Sequence, residues 1–134
     1  MSEFIYNPIQ TVAVGQNVLL QDSIPCTRGY IIHRNGSGIL TLRGIVNNHC
    51  AKFARYHVAF NGNIAIPTGG TAGEISLAIA IDGEPIQTSR ARVTPTALNA
   101  YFNVTSVANI TVPSGCCLTI SIENTSGVPI NVQK

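Results

Sequence analysis

Large apolar side chains recur at every second position in short runs along most of the chain. In ISLAIAIDGEPI (75–86), Ile75, Leu77, Ile79 and Ile81 alternate with Ser76, Ala78 and Ala80 before Asp82-Gly83. A period of two is the signature of a β-strand, whose successive side chains point to opposite faces. The same pattern predicts strands near 9–14, 17–21, 29–33, 38–43, 52–61, 75–81, 85–93, 97–107, 116–123 and 128–132. Turn signals separate them: NGSG (35–38), NG (61–62), PTGGTAGE (67–74), DG (82–83), PSG (113–115) and NTSG (124–127). Asp82-Gly83 is the strongest hairpin signal, since both central residues of the favoured turn need positive φ. HCAKFARYHVAF (49–60) can be drawn as an amphipathic helix. Tyr56, Val58 and Phe60 alternate with His57 and Ala59, however, and Asn-Gly follows, so a strand is expected. The whole pattern predicts an all-β protein: an antiparallel two-sheet sandwich or jelly roll.

The second faces of these strands are unusual. A half-buried strand ordinarily carries Lys, Glu, Thr or Gln on its wet side. Here that side holds Ser76, Ala78 and Ala80, or Cys117, Thr119 and Ser121, or Asn99, Tyr101, Asn103, Thr105 and Val107. Small or neutral outward residues suit a sheet packed on another subunit, with tyrosines as anchors. Tyr56, His57, Ala78, Ala80, Tyr101, Asn103 and Thr119 are therefore the candidate residues of a subunit interface. A solvated face rich in Ser, Thr and Asn is the alternative.

Charge sharpens this picture. Only 10% of the 134 residues are charged, against about 25% in a typical soluble domain, too few to cover a monomer surface with Lys and Glu. The net charge is +2 and the basic residues are scattered, with no aromatic residues set between them as a stacking platform, so nucleic acid is not an expected partner. No apolar run is long enough to span a bilayer, so no membrane partner is expected. The start, MSEFIYNPIQ, lacks the basic residues and apolar core of a secretory leader. Without a signal peptide, the expectation is a product of the cytoplasm. Residues 1–10 read as an arm or anchor and 11–134 as a single domain.

Catalytic chemistry is hard to assemble from these residues, and no enzyme is expected. The six carboxylates form no pair spaced for acid–base work, and Asp82 and Glu84 belong to a turn. GGTAG (69–73) has neither the Lys-Ser/Thr nor the helix of a phosphate loop. Cys26, His33, His49 and Cys50, with His57 nearby, are of the types zinc takes. Their spacings match no ligand pair, and His49 and Cys50 are adjacent, so neither metal nor cofactor is expected. The four cysteines (Cys26, Cys50, Cys116, Cys117) read as small packing residues. Four N-x-[ST] sequons, at Asn35, Asn103, Asn109 and Asn124, reflect the abundance of Asn, Ser and Thr.

The order of segments carries a resemblance. NPIQTVAVGQNVLLQ (7–21), GSGILTLRG (36–44), ARYHVAFNGNIAI (54–66), GEISLAIAIDGEPI (73–86), LNAYFNVTSVANITVPSG (98–115) and CLTISIENTSG (117–127) follow one another. This series resembles the trimeric jelly roll of tumour-necrosis-factor-like cytokines, complement globular heads and the heads of collagen-like spore-surface glycoproteins. Tyr56-His57-Val58-Ala59-Phe60, the I-D-G-x-P-I hairpin and Val-Pro-Ser-Gly carry the likeness. Free-standing domains of this kind resemble structural proteins of tailed phages infecting gut bacteria. The resemblance implies a homotrimer that decorates or projects from a virion, assembled in the host cytoplasm and joined to a capsid or tail protein through the N-terminal arm. A host-receptor or glycan-binding head of a tail or fibre, or a bacterial or spore surface head, is the alternative it implies. These motifs are strand patterns, specific for fold and weak for function. Two departures stand out: no Gly-X-Y stalk precedes the domain, and only VPINVQK (128–134) is left for the closing strand. That short tail is expected to pair within the trimer.

Overall fold

The computed structural model describes residues 2–24, 30–44, 53–115 and 117–133. Twelve strands lie among the described residues: β1 (Glu3–Ile5), β2 (Gln10–Val12), β3 (Gln21–Ile24), β4 (Ile31–His33), β5 (Leu40–Arg43), β6 (Phe53–Ala65), β7 (Ile75–Ile81), β8 (Glu84–Pro85), β9 (Ala91–Val93), β10 (Phe102–Pro113), β11 (Cys117–Asn124) and β12 (Ile130–Gln133). All pairings are antiparallel. One four-stranded sheet runs β10-β6-β12-β2; a larger one runs β4-β5-β11-β7-β8, with β9 also on β7; β1 and β3 form a small ribbon. The long-range pairs nest. β2 joins β12, β5 joins β11, β6 joins β10 and β7 joins β9, alternating between the two larger sheets. The expectation of an all-β antiparallel protein holds.

The core lies between the larger sheets. Leu40, Leu42, Leu77, Ile79, Ile120 and Ile122 contribute from one side, and Val12, Phe60, Ile64, Ile110, Val112, Ile130 and Val132 from the other. The first set falls on one parity of its paired strands, with Leu42 opposite Leu118 and Ile122 opposite Ile79. Period-two alternation therefore selects the buried face, and a slip of one residue would turn that face to solvent.

The boundaries differ from the sequence expectations in ways that have local causes. Asn61-Gly62 does not turn: β6 continues to Ala65. Gly62 is needed because the Phe60 ring lies against it, 2.8 Å from where a Cβ would sit. The strand expected at 97–107 starts later and ends at Pro113. Asn99 adopts φ 57° and binds residues 66–68 through its amide N–H to the Ile66 carbonyl (2.9 Å) and its side chain to Thr68 Oγ1 (2.8 Å). The 85–93 strand is interrupted by a 3-10 turn at Gln87–Ser89, where Ser89 Oγ accepts the Ile79 N–H in place of a backbone partner. Asp82 (φ 51°) and Gly83 (φ 86°) form the expected hairpin turn. The short tail pairs inside one chain: β12 lies between β2 and β6.

One buried amide ties these parts together. Asn124, 1% exposed, donates through Nδ2 to the carbonyls of Val12 (3.0 Å), Ala13 (3.3 Å) and Val128 (3.0 Å). Its Oδ1 accepts the Ser126 N–H at 2.9 Å. Removing the amide strands several buried backbone groups, each costing about 1–3 kcal/mol. We expect Asn124→Leu to lower the unfolding free energy by about 3 kcal/mol or more, read from its urea midpoint. Gly62→Ala should cost about 1–3 kcal/mol by the same measurement, as the Phe60 ring is pushed from its packing.

Candidate interaction face

The outward face of the four-stranded sheet is built by register. On β6 and β10 the residues opposite the core set are Arg55, His57, Ala59, Asn61 and Asn63, facing Thr111, Asn109, Val107, Thr105 and Asn103. Asn131 and Thr11 extend the face across β12 and β2. Side chains bond across strands. Asn103 Nδ2 donates to Asn61 Oδ1 (2.7 Å) and Asn63 Oδ1 (3.3 Å), and Thr11 Oγ1 donates to Asn131 Oδ1 (2.8 Å). His57 Nδ1 lies 2.9 Å from Asn109 Oδ1, which makes Nδ1 the protonated nitrogen. Arg55 is the only permanently charged residue of these positions, and its guanidinium stands 5.0 Å above the Phe53 ring. The result is a broad surface that, apart from Arg55, is uncharged, and its amides and hydroxyls can each donate and accept. Val107, 47% exposed, stands near its middle.

The candidate interface residues are divided between locations. His57 and Asn103 lie on this face, and Tyr101, 38% exposed, just precedes β10. Tyr56 is on the opposite parity and turns inward. Its hydroxyl donates to the Arg43 carbonyl, with the Tyr30 carbonyl 3.2 Å away, and so seals the end of β5 against β6. Ala78 and Ala80 are on the other large sheet and are 0% exposed within a single chain, leaving no area for a partner to cover. Beside them Ser76 is held by Arg90 Nε (3.1 Å), while Arg90 Nη2 donates to the Thr125 carbonyl (3.0 Å). The chain itself thus covers much of the small-residue face of β7. Thr119 is on that sheet too and is tied to a turn. Asp82 Oδ1 accepts both the Thr119 N–H (3.0 Å) and its hydroxyl (2.8 Å).

Thr105 and Val107 fall on the outward face that the alternation assigned them; sequence reasoning passed over Asn61, Asn63 and Asn109, neutral side chains at alternate positions in the two long strands, and Asn131 on the short β12. Of the metal candidates, Cys26, His49 and Cys50 lie outside the described residues. His33 is side-chain buried, with Nδ1 at 2.5 Å from Asp22 Oδ1 and Nε2 at 2.8 Å from the Ser37 carbonyl. Both ring nitrogens are therefore occupied. Among the described residues no cluster of His, Cys, Asp or Glu could hold a metal.

Two carboxyls are shifted. The hydrogen bonds from Thr119 lower Asp82 below its usual 3.8, and burial raises Glu123 above 4.5. Compared with family models and with curated proteins, the chain matches neither a family model nor a curated relative.

A lowered native value means that ionised Asp82 stabilises the fold above pH 3.8, and that this contribution is lost as pH falls through the native value. In acid titrations followed by circular dichroism, Asp82→Ala should be less stable than the wild type at neutral pH. The difference should shrink below pH 3.8.

Proposed function

We propose that this chain is a non-enzymatic structural protein of a virion, a homotrimeric jelly roll that decorates or projects from a phage particle. The nested pairing of β2 with β12, β5 with β11, β6 with β10 and β7 with β9 supports the jelly-roll reading. The observation that carries the assembly is the neutral face of the β10-β6-β12-β2 sheet. Apart from Arg55, its amides and hydroxyls carry no charge to repel a symmetry-related copy and can satisfy one another across a cyclic contact. The motif resemblance supplies the virion context, assembly in the host cytoplasm and attachment to a capsid or tail protein through the arm. A second reading, a receptor- or glycan-binding head, draws on one observation. Leu98, Tyr101 and Phe102 are 38–40% exposed together where the chain enters β10. Aromatic and apolar side chains at a loop end suit a binding tip.

Light scattering coupled to size exclusion decides the assembly. The expected mass is about three times 14.2 kDa. Val107→Arg should return a folded monomer, because the site is half exposed in a single chain and an unpaired charge is costly only when a partner buries it. Ala78→Arg is the wrong probe, since Ala78 is already inside one chain. A monomeric wild type at micromolar concentration removes the trimer reading. Binding on a glycan array, lost in Tyr101→Ala, would favour the head reading.

A further inference from the structure

The two ends of the core are not equally closed. At one end Ile64, Ile66, Ile75 and Leu77 are 0% exposed; at the other Leu20, Leu40 and Ile120 retain 4–6%. The difference coincides with a cavity of about 180 Å³ between the sheets, walled by Phe4, Leu42, Val58, Phe60, Ile120 and Ile122. Ser2 and Glu3 of β1 and its approach, His57 of β6 and Ser121 of β11 also line it.

Size and chemistry narrow what such a space takes. A buried water needs two to four polar partners, whereas a cavity of about 150 Å³ lined by Leu, Ile and Phe stays dry and accepts benzene. Here the nearby Tyr56 hydroxyl is already used by backbone carbonyls. Among the described residues no buried side-chain nitrogen or oxygen lacks a partner. Most of the wall is apolar, with Ser2, Glu3, His57 and Ser121 its polar minority, so an uncharged apolar body suits the larger part of it.

We propose that this inter-sheet cavity is a binding site for a small, uncharged apolar molecule about the size of one aromatic ring. The Phe4 wall provides the entry. β1 belongs to neither large sheet, pairs only with β3 over three residues, and has a register shift between Glu3 and Phe4. Phe4 is steadied by an edge contact with the His33 ring, 4.8 Å between centroids. Displacing β1 opens the cavity without parting the sheets.

Benzene titrated into methyl-labelled full-length protein tests this. Saturable shifts are expected at the Leu20, Leu42, Ile120 and Ile122 methyls, with Ile64, Ile66 and Ile75 unmoved. Val58→Phe, which fills the space from β6, should abolish those shifts while the closed-end methyls keep their positions. If that variant does not fold, a xenon-pressurised crystal of the wild type reads the same space. Ordered xenon between Phe60 and Ile120 supports the site. Absent xenon overturns it, as do benzene shifts that are missing, fail to saturate, spread equally over both ends or persist in folded Val58→Phe.

Discussion

The carboxamide of Asn124 sits where the two larger sheets share a corner. Its side chain holds the carbonyls at the end of β2 and in the turn before β12, while its own backbone exchanges bonds with Gly15 and Gln16. Residues 15–18 are thereby laid along β11, which is paired on its other edge with β7. Two serines extend the knot: the Ser126 N–H is bound to Asn124, and Ser126 Oγ bonds both backbone groups of Ser76. A hydrophobic core is indifferent to small rotations of one sheet on the other, because its attraction has no direction. Hydrogen bonds with fixed geometry are not. Asn124 sets how the sheets meet, and the apolar side chains fill the space that this setting leaves.

A chain poor in charge solves its polar problems with neutral groups. Ser76, Ser89, Ser106, Ser121, Asn124 and Ser126 are all buried, and short side chains reach backbone where the ladder is broken, as Ser89 does beside Ile79. Neutral groups cost less to desolvate than ions, so the same economy inside the fold and on the β6–β10 face follows from one physical preference. Arg90 is one exception, its charge spread over a hydroxyl and a carbonyl at the edge of β7, and the buried His33 ring against the Asp22 carboxylate is another.

Much of the fold was legible because burial in a sheet imposes a parity. Ile75–Ile81 was read residue for residue, and the Asp82-Gly83 turn at its stated place. The failures have a common origin in contacts distant along the chain. Asn-Gly at 61–62 is a turn signal locally, but the Phe60 ring claims the space a side chain would occupy and the strand runs on. Residues 97–101 alternate like a strand, but Asn99 is bound to residues 66–68. β1 is too short to show a period at all. The face was legible in part: parity puts His57 and Asn103 on its outward side, whereas Tyr56, expected beside them as an anchor, has the opposite parity and turns inward. That Ala78 and Ala80 are covered by their own chain was not readable, since a small residue looks the same beneath a partner subunit and beneath a neighbouring segment.

The place of β12 between β2 and β6 has a consequence for how the protein is made. Two strands synthesised early, 10–12 and 53–65, are joined only through residues 130–133. Until residues 130–133 have been made, the edges of both strands that β12 will join keep unpaired backbone groups, a template for strands of other nascent chains. Local hairpins such as β7–β8 form during synthesis, but closure of the four-stranded sheet must wait for translation to reach residue 133. Loops that long close slowly. The segment that completes the fold is also the one that ends its exposure to neighbours on the same polysome.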